Sequence, residues 1–248
     1  MAEPVQLTDD ALLDGRLRLK QLSRGYRVAI DPVLLAAAVP ARQGERVLDV
    51  GCGTGAAALC LASRVAGCTI VGLEKNAEAA GIARLNVMAN GLADRVEIVE
   101  GDAAAPPSGL RRVFDHVMSN PPYLPETAGS SPLDQGKRQA LVESLDLGDW
   151  VEACLRRLRP GGWLALIQRA DRAAGLAAAL HGRAGDVTLF PLWPRAGVAA
   201  RRLIVLARKG SRGPSRLAAG LVLHRTDGSF TMEAEAVMRD GAAIEAVG

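Results

Sequence analysis

Cysteine, histidine and aromatic residues are scarce in this sequence, and their scarcity excludes several classes of protein. The four cysteines form no C-x-x-C pair, and the histidines stand alone at His116, His181 and His224. We therefore expect neither a metal site nor a disulfide framework, and we interpret each cysteine as a small buried residue in a reducing compartment. Aromatic residues make up only 3% of the chain, so few side chains are available to stack on bases.

Long apolar runs are also missing. The first fifteen residues include four acids and resemble no secretory signal, and the apolar stretches at residues 33–39 and 56–62 are too short to cross a bilayer. A chain of 248 residues, 49% of them hydrophobic, is long enough for one α/β domain with additions. We expect a soluble, cytoplasmic protein without a membrane partner.

The net charge is small, but the charged residues are unevenly distributed along the chain. The net charge of +3 does not by itself indicate a nucleic-acid partner, yet residues 15–30 and 187–226 contain no acid at all. Their basic residues are Arg16, Arg18, Lys20, Arg24 and Arg27 in the first segment, and Arg195, Arg201, Arg202, Arg208, Lys209, Arg212, Arg216 and Arg225 in the second. The segments would form one phosphate-binding surface if they met in the fold; alternatively, they are solvated faces of an arginine-rich protein.

Short apolar runs alternate with helical patterns from residue 46 onward, which is typical of a parallel sheet with crossover helices. The pattern predicts core strands at 46–50, 69–73, 95–99, 114–118, 163–168, 186–191 and 201–207. It predicts helices at 54–65, 76–90, 147–158 and 171–181, the second capped by Asn76. The predicted organisation is an N-terminal extension at 1–44 (a hairpin at 17–30 and a helix), a core at 45–210, and a C-terminal extension of the same domain at 211–248 (a strand at 221–224 and a helix near 231–238).

Glycines alternate directly between the first core strand and its helix, at Gly51, Gly53 and Gly55. Backbone without Cβ atoms lets a ligand approach closely, and the helix N-terminus adds favourable amide dipoles. A glycine-rich turn in a βαβ unit is also typical of dinucleotide sites, so this feature alone leaves the cofactor open.

The fourth predicted strand leads into Asn120, Pro121, Pro122 and Tyr123. Consecutive prolines exclude a helix and keep the backbone extended, with carbonyls that pair with no neighbouring strand. An exocyclic amino nitrogen is a poor nucleophile because its lone pair is delocalised. If the Asn120 side-chain oxygen and the Pro121 carbonyl accept its two hydrogens, that lone pair is directed toward a methyl donor, while Tyr123 stacks on the planar substrate. The alternative is an ordinary turn after a strand.

Together the two motifs resemble those of the class I S-adenosylmethionine-dependent methyltransferases. That fold is Rossmann-like α/β, with a mostly parallel seven-stranded sheet, helices on both faces and an antiparallel last strand. The resemblance implies S-adenosylmethionine as cofactor, with Glu74 on the ribose hydroxyls, Asp102 on the adenine amino group and Asp49 near the methionine ammonium. Three acids at successive strand ends fit a sulfonium better than a pyrophosphate. The implied cofactor contacts also include Gly51, Cys52, Gly53, Gly55, Lys75, Ala103 and Asn120.

The four residues 120–123 are similar to a motif of methyltransferases that act on adenine, cytosine or the amide of glutamine. Over nearly the whole chain the sequence is similar to the bacterial tRNA adenine-N6 methyltransferases that modify valine tRNA beside the anticodon. Residues 26–31, 33–37, 137–140, 221–224 and 227–231 carry this similarity. It implies tRNA as substrate and partner.

Three alternatives remain. Release-factor glutamine methyltransferases share the 120–123 motif but carry a sizeable helical domain before the glycine motif, where this chain has about forty-five residues. A DNA or small-molecule amino methyltransferase is the second. A noncatalytic binding module is the third and would require a broken motif, whereas none is broken. The sequence predicts no oligomeric state.

Overall fold

The computed structural model describes residues 6–23, 30–111, 113–122 and 146–246. Two strands form an N-terminal hairpin, β1 (Leu7–Leu12) and β2 (Leu17–Leu22), which pair antiparallel. Helix α1 (Asp31–Ala38) follows, and all eight of its residues are buried. Within the described ranges, no helix is both long and apolar enough to cross a membrane.

A nine-stranded sheet forms the centre of the protein. Its seven longer strands are β3 (Arg46–Val50), β4 (Thr69–Glu74), β5 (Val96–Glu100), β6 (Phe114–Ser119), β7 (Leu158–Arg169), β8 (Ala184–Trp193) and β9 (Arg202–Lys209). The helices between them are α2 (Ala56–Arg64), α3 (Ala77–Ala89), α4 (Leu147–Arg157) and α5 (Ala173–Leu180). The chain continues with β10 (Arg216–Leu217), β11 (Leu221–Val222) and α6 (Met232–Asp240).

The spatial order of the longer strands is β8-β9-β7-β6-β3-β4-β5. Strand β9 runs antiparallel to both of its neighbours, and the other pairs in the sheet are parallel. The two short strands β10 and β11 both pair with β8. The predicted α/β fold with seven core strands and an antiparallel last strand is therefore confirmed, and the sheet gains two short strands from the C-terminal segment.

Alternation along the strands explains why helices cover both faces of the sheet. Val47 and Met118 belong to one hydrophobic cluster, together with α1, α2 and α3, whereas their chain neighbours Leu48 and Val117 belong to a second cluster beneath α4 and α5. Successive side chains of a strand point to opposite faces, so a run of consecutive apolar residues supplies both cores at once.

The N- and C-terminal segments pack on the α1–α3 side of the sheet. The Asn86 side chain of α3 accepts a hydrogen bond from the Lys20 backbone N–H (2.7 Å) and donates one to the Lys20 carbonyl (2.9 Å), which fixes β2 against this helix. After α6, the Ile244 N–H donates to the Ala37 carbonyl at the end of α1 (2.8 Å).

Two local predictions need correction. The hairpin begins at Leu7, ten residues before the predicted start at 17, and residues 24–29 of the predicted segment lie outside the described ranges. The strand predicted at 221–224 is shorter in the structure, where β11 spans only two residues. The chain then turns back, and His224 pairs with Phe230.

Candidate active site

The predicted site residues that the structure describes lie where four neighbouring parallel strands end. Strands β5, β4, β3 and β6 lie side by side, and the chain leaves their carboxyl ends at Gly101, Lys75, Gly51 and Asn120. We call this side of the sheet the carboxyl edge, and the opposite side the amino edge. Ligands of open α/β sheets bind at the carboxyl edge, next to the point where the chain reverses direction across the sheet.

The glycine loop adopts a backbone conformation that other residues rarely reach. Gly51, Gly53 and Gly55 have φ values of +71°, +56° and +87°, and Gly55 is the N-cap residue of α2. A second reason for glycine applies at position 51, where a Cβ atom would lie 3.1 Å from the Trp150 ring. Glycine is thus required at position 51 by backbone conformation and by the close approach of α4.

Glu74 ties the glycine loop to the end of β4. Its carboxylate accepts one hydrogen bond from the Gly53 N–H and another from the Asn76 N–H, each 2.8 Å long. A carboxylate has about four acceptor positions, so further hydroxyl donors can still bind to it.

Asp102 lies half-buried just after β5 and is held in its ionised form. The Ala104 N–H donates to it (2.9 Å) and the Lys75 ammonium pairs with it (2.9 Å). The backbone hydrogen bond and, after it, Lys75 lower the pKa of Asp102 below its ordinary value. Lys75 therefore influences the site by pairing with the Asp102 carboxylate and keeping it ionised. The predicted neighbour Ala103 is half-buried in the same turn.

Asp49 has an unusual environment for an acid. It is 2% exposed, and its Oδ2 atom accepts no hydrogen bond from the described part of the chain. Burial, and next the nearby Glu74 carboxylate, raise the pKa of Asp49 to about 7. A buried carboxyl group in this state gains most from a ligand that brings a cation or a hydrogen-bond donor.

The backbone of Cys52 helps to fix the glycine loop, since its N–H donates to the Leu73 carbonyl (3.1 Å) and its carbonyl accepts from the Gly55 N–H (2.9 Å). The side chain is 8% exposed, and a Cβ atom on Gly72 of β4 would lie 2.8 Å from its sulfur. Burial raises the pKa of the Cys52 thiol well above its ordinary value, so it stays protonated. The Cys52 side chain packs in the hydrophobic cluster on the α1–α3 side of the sheet.

The turn that follows β6 is supported from three directions. The Ser119 hydroxyl donates to the Val50 carbonyl of β3 (2.6 Å), and the Trp150 indole N–H of α4 donates to the Ser119 hydroxyl (3.0 Å). On the other side, the Gln168 side-chain amide of β7 donates to the Pro121 carbonyl across a long 3.4 Å contact. Asn120 is half-buried at this turn, while Tyr123 and residues 137–140 lie outside the described ranges.

Ser119, Trp150 and Gln168 were not among the residues predicted for the site. Trp150 lies inside a predicted helix and Gln168 at the end of a predicted strand, and neither belongs to a motif. The only sequence signal was the position of Ser119 immediately before Asn120. Gln168 is 4% exposed and its other amide atom accepts from the Arg169 N–H (2.9 Å), so its orientation is fixed.

The family whose model is described as Methyltransferase small domain matches residues 27–188. The chain belongs to this family. It is 36% identical over 216 residues to a tRNA1(Val) (adenine(37)-N6)-methyltransferase of Aeromonas salmonicida, an alignment that covers 83% of this chain and 85% of the relative. It is 31% identical over 166 residues to a release factor glutamine methyltransferase of Chlorobaculum tepidum, covering 63% of this chain and 56% of that relative.

Solved structures of methyltransferases are similar to this chain. One from Agrobacterium tumefaciens, described as a predicted O-methyltransferase, superimposes with a TM-score of 0.72 at 30% identity and covers 86% of this chain and 98% of that one. An S-adenosylmethionine-dependent O-methyltransferase of Thermotoga maritima, with a TM-score of 0.54 at 20% identity over 76% and 68% of the two chains, shares the fold. The present chain is an S-adenosylmethionine-dependent methyltransferase of class I fold.

The carboxyl edge fits this cofactor, which supplies a methyl group carried on a positively charged sulfonium. Buried Asp49 has an oxygen that no described residue donates to, and Glu74 and Asp102 are the other acids beside the glycine loop. Asp102 is paired with Lys75, whereas Glu74 and the buried Asp49 favour a cation over a phosphate, which disfavours a dinucleotide. Among the described residues, no cluster of three or more His, Cys, Asp or Glu side chains could hold a metal ion.

Proposed function

We propose that this enzyme transfers the methyl group of S-adenosylmethionine to the exocyclic amino nitrogen (N6) of an adenine in tRNA. The observation that carries the proposal is the Asn120-Pro121-Pro122 turn, held at the end of β6 directly beside the glycine loop. The choice of tRNA is supported by the relative named as a tRNA1(Val) (adenine(37)-N6)-methyltransferase, whose similarity extends over most of both chains. This function implies RNA binding and a cytoplasmic location.

On the cofactor side, each acid has one expected partner. Asp49 would hold the methionine ammonium, Glu74 the ribose hydroxyls, and Asp102 with Ala103 the adenine ring. The glycines of the loop allow close approach, and Cys52 contributes its backbone. The resemblance to the methyltransferases implies these assignments, and the burial of Asp49 and the free acceptor positions of Glu74 support them.

On the substrate side, the enzyme acts by positioning. The Asn120 side-chain oxygen and the Pro121 carbonyl would accept the two amino hydrogens and stabilise the positive charge that develops on the nitrogen as the new N–C bond forms. Gln168 occupies one lone pair of the Pro121 carbonyl and leaves the second available, because a carbonyl oxygen has two. Stacking by Tyr123 remains a prediction.

A release-factor glutamine is the second candidate, because its side-chain amide presents the same planar amino group. The specific observation in its favour is the similarity to the Chlorobaculum tepidum relative, although this chain spans little more than half of that relative's length. The shorter coverage ranks it below tRNA.

The test is methylation with labelled S-adenosylmethionine of unmodified tRNA and, separately, of release factor. We expect label in tRNA, recovered as N6-methyladenosine after digestion. The Asn120→Ala variant should lose at least about 100-fold in turnover at saturating cofactor because an acceptor of the amino group is gone. Label found only in release factor, or normal turnover by Asn120→Ala, would contradict the proposal.

A further inference from the structure

Among the residues that the structure describes, the basic residues of the two segments lie on different parts of the protein, while Arg24 and Arg27 fall outside the described ranges. Arg18 in the N-terminal hairpin lies against α3, where its backbone pairs with the Asn90 side chain. The second segment is divided by β9, since Arg202 and Lys209 occupy opposite ends of this strand, about 23 Å apart at ~3.3 Å per residue. Arg195, Arg201 and Arg202 therefore lie at the carboxyl edge, whereas Arg208, Lys209 and Arg212 lie at the amino edge.

Of the arginines at the carboxyl edge, some have structural partners and others do not. Arg202 pairs with the buried Asp31 at the start of α1 (2.9 Å), and Arg169 pairs with Asp171. Arg195, Arg201 and Arg225 are exposed. Among the described residues their guanidinium groups make no hydrogen bond or ion pair, although the charge of Arg225 acts on the nearby Asp227 carboxylate. We call these three residues the arginine rim.

The fold brings the rim together from two loops. The Ala170 N–H donates to the Arg201 carbonyl (3.1 Å), which holds the β8–β9 loop against the end of β7. The His224 N–H donates to the Pro194 carbonyl (3.1 Å), so Arg225 lies beside Arg195.

The turn that carries Arg225 is itself well ordered. The rings of His224 and Phe230 stack at 5.0 Å with an interplanar angle of 23°, and the Thr231 hydroxyl donates to the Val222 carbonyl (2.7 Å). The one acid in this turn, Asp227, is bound by the backbone and hydroxyl of Ser229 (2.9 and 2.6 Å).

Charge is distributed asymmetrically along the carboxyl edge. Asp49, Glu74 and Asp102 lie at β3, β4 and β5, on one side of Asn120, and the arginine rim lies on the other side, at β8 and β9. Strand β9 is two strands from β6 and β8 is three, about 10 and 14 Å at ~4.8 Å per strand. Asn120 thus stands between an acidic half, which suits the cofactor, and a basic half with no assigned ligand.

We propose that the arginine rim binds phosphates of the nucleotides flanking the target adenine, so that the RNA strand leaves the Asn120 turn across β7 and β9 toward β8. The inference rests on the proposed function and adds the location and direction of the RNA backbone. A polyanion with its reacting base at Asn120 is attracted by three exposed arginines that have no ion-pair partner among the described residues. On the other side it meets the acids Asp49 and Glu74, whereas Asp102 is paired with Lys75. The planar guanidinium also matches the oxygen geometry of phosphate.

The test compares two triple variants of the full chain. The rim variant carries Arg195→Gln, Arg201→Gln and Arg225→Gln. The control carries Arg42→Gln, Arg208→Gln and Arg212→Gln, which are exposed at the amino edge. Each triple variant loses three positive charges, which takes the formal net charge from +3 to 0. Binding of unmodified tRNA is measured by fluorescence anisotropy at several salt concentrations, and methylation is measured in parallel.

For the rim variant we expect affinity for tRNA to fall at least about tenfold and the slope of log K against log salt to flatten by about 2. The KM for tRNA should rise while kcat at saturating tRNA and the cofactor affinity stay near wild type; the control should change affinity less than about twofold.

Equal affinity of the rim variant and wild type overturns the inference, as does an equal loss in the control, because only net charge would then matter. Loss of release-factor methylation with unchanged tRNA binding would assign the rim to an acidic protein and also overturn it. Wild-type enzyme that neither binds nor methylates tRNA refutes the proposed function itself, so the two failures are distinguishable.

Discussion

At the scale of single residues, Trp150 connects the glycine loop with the Asn120 turn. Its ring covers Gly51 and its indole N–H holds the Ser119 hydroxyl, which in turn donates to Val50. Because Asn120 follows Ser119 directly, a shift of this serine displaces the predicted acceptor of the substrate amino group. Misplacement of a reacting group by about 1 Å is enough to slow a reaction about 100-fold.

We expect Trp150→Phe to lower kcat about tenfold, because it removes the indole N–H that donates to Ser119 together with the outer ring atoms Cζ2 and Cη2 that lie nearest Gly51. Ser119→Ala is the partner variant. If the indole and the hydroxyl act as one unit, the double variant is no slower than Ser119→Ala alone. Independent, multiplying effects in single-turnover kinetics would contradict this arrangement.

The sequence predicts some of these residues and not others for a physical reason. Asp49, Glu74 and Asp102 follow from strand-end positions, which are readable from hydrophobic patterns. Trp150 and Gln168 depend on hydrogen bonds to residues 31 and 47 positions away, and no local pattern encodes such contacts.

The sequence also does not show which arginines have ion-pair partners. Arg201 and Arg202 are neighbours with the same side chain, yet only the structure shows that Arg202 pairs with Asp31 while Arg201 has no ion-pair partner among the described residues.

At the scale of elements, α6 anchors the C-terminal segment on α1. The Thr231 hydroxyl caps it by accepting from the Ala234 N–H (3.1 Å), and Ala234 and Val237 are buried. Val237 also lines a small cavity beneath α1 and α2, together with Leu13 and Arg64.

Removing two methyl groups here should destabilise the fold. We expect Val237→Ala to lower the free energy of unfolding by about 2 kcal/mol, through lost burial and an enlarged cavity. Met232→Ala, at a position 71% exposed on the same helix, should change it by less than about 0.5 kcal/mol. Urea unfolding measures the free energy of unfolding of both variants. If Val237→Ala lowers it as little as Met232→Ala does, α6 contributes little to the folded core.

Two elements differed from prediction because tertiary pairing outweighs local pattern. None of the residues of β1 is fully buried, and Asp9 and Asp10 are depleted in strands generally; pairing with β2 and the Lys20–Asp9 ion pair (2.8 Å) stabilise it instead. Strand β7 begins at Leu158, five residues before the predicted start at 163, and therefore includes Pro160, Gly161 and Gly162; its pairing with β6 shifts register at this point. Proline and glycine within a strand are typical of such irregularities. The domain limits at 44 and 210 remain a prediction.

At the scale of the whole molecule, Asp49 links stability to pH. Its pKa is about 7 in the folded protein against an ordinary value of 3.8. Between these values the unfolded chain has released the proton and the folded protein retains it, so the free energy of unfolding of the ligand-free enzyme decreases as pH rises from about 4 to about 7. Binding of a cationic cofactor favours the ionised form and opposes this loss.

We expect the isosteric Asp49→Asn variant to lose this contribution. The difference in unfolding free energy between variant and wild type should grow in favour of the variant from pH 5 to pH 7 and then level off, as measured by urea unfolding at each pH. Cofactor affinity of the wild type should rise over the same interval, while that of the variant should not. Parallel stability profiles would assign Asp49 an ordinary pKa.

Strand β9 follows β8 in the chain but lies between β7 and β8 in the sheet. During synthesis, β8 therefore emerges from the ribosome with no neighbour in the sheet, and its outer side is closed later still by β10 and β11. A ten-residue strand with Phe190 and Leu192 and two open sides is a template for pairing with other nascent chains. The antiparallel insertion that completes the fold thus makes β8 the segment where a chaperone is most useful.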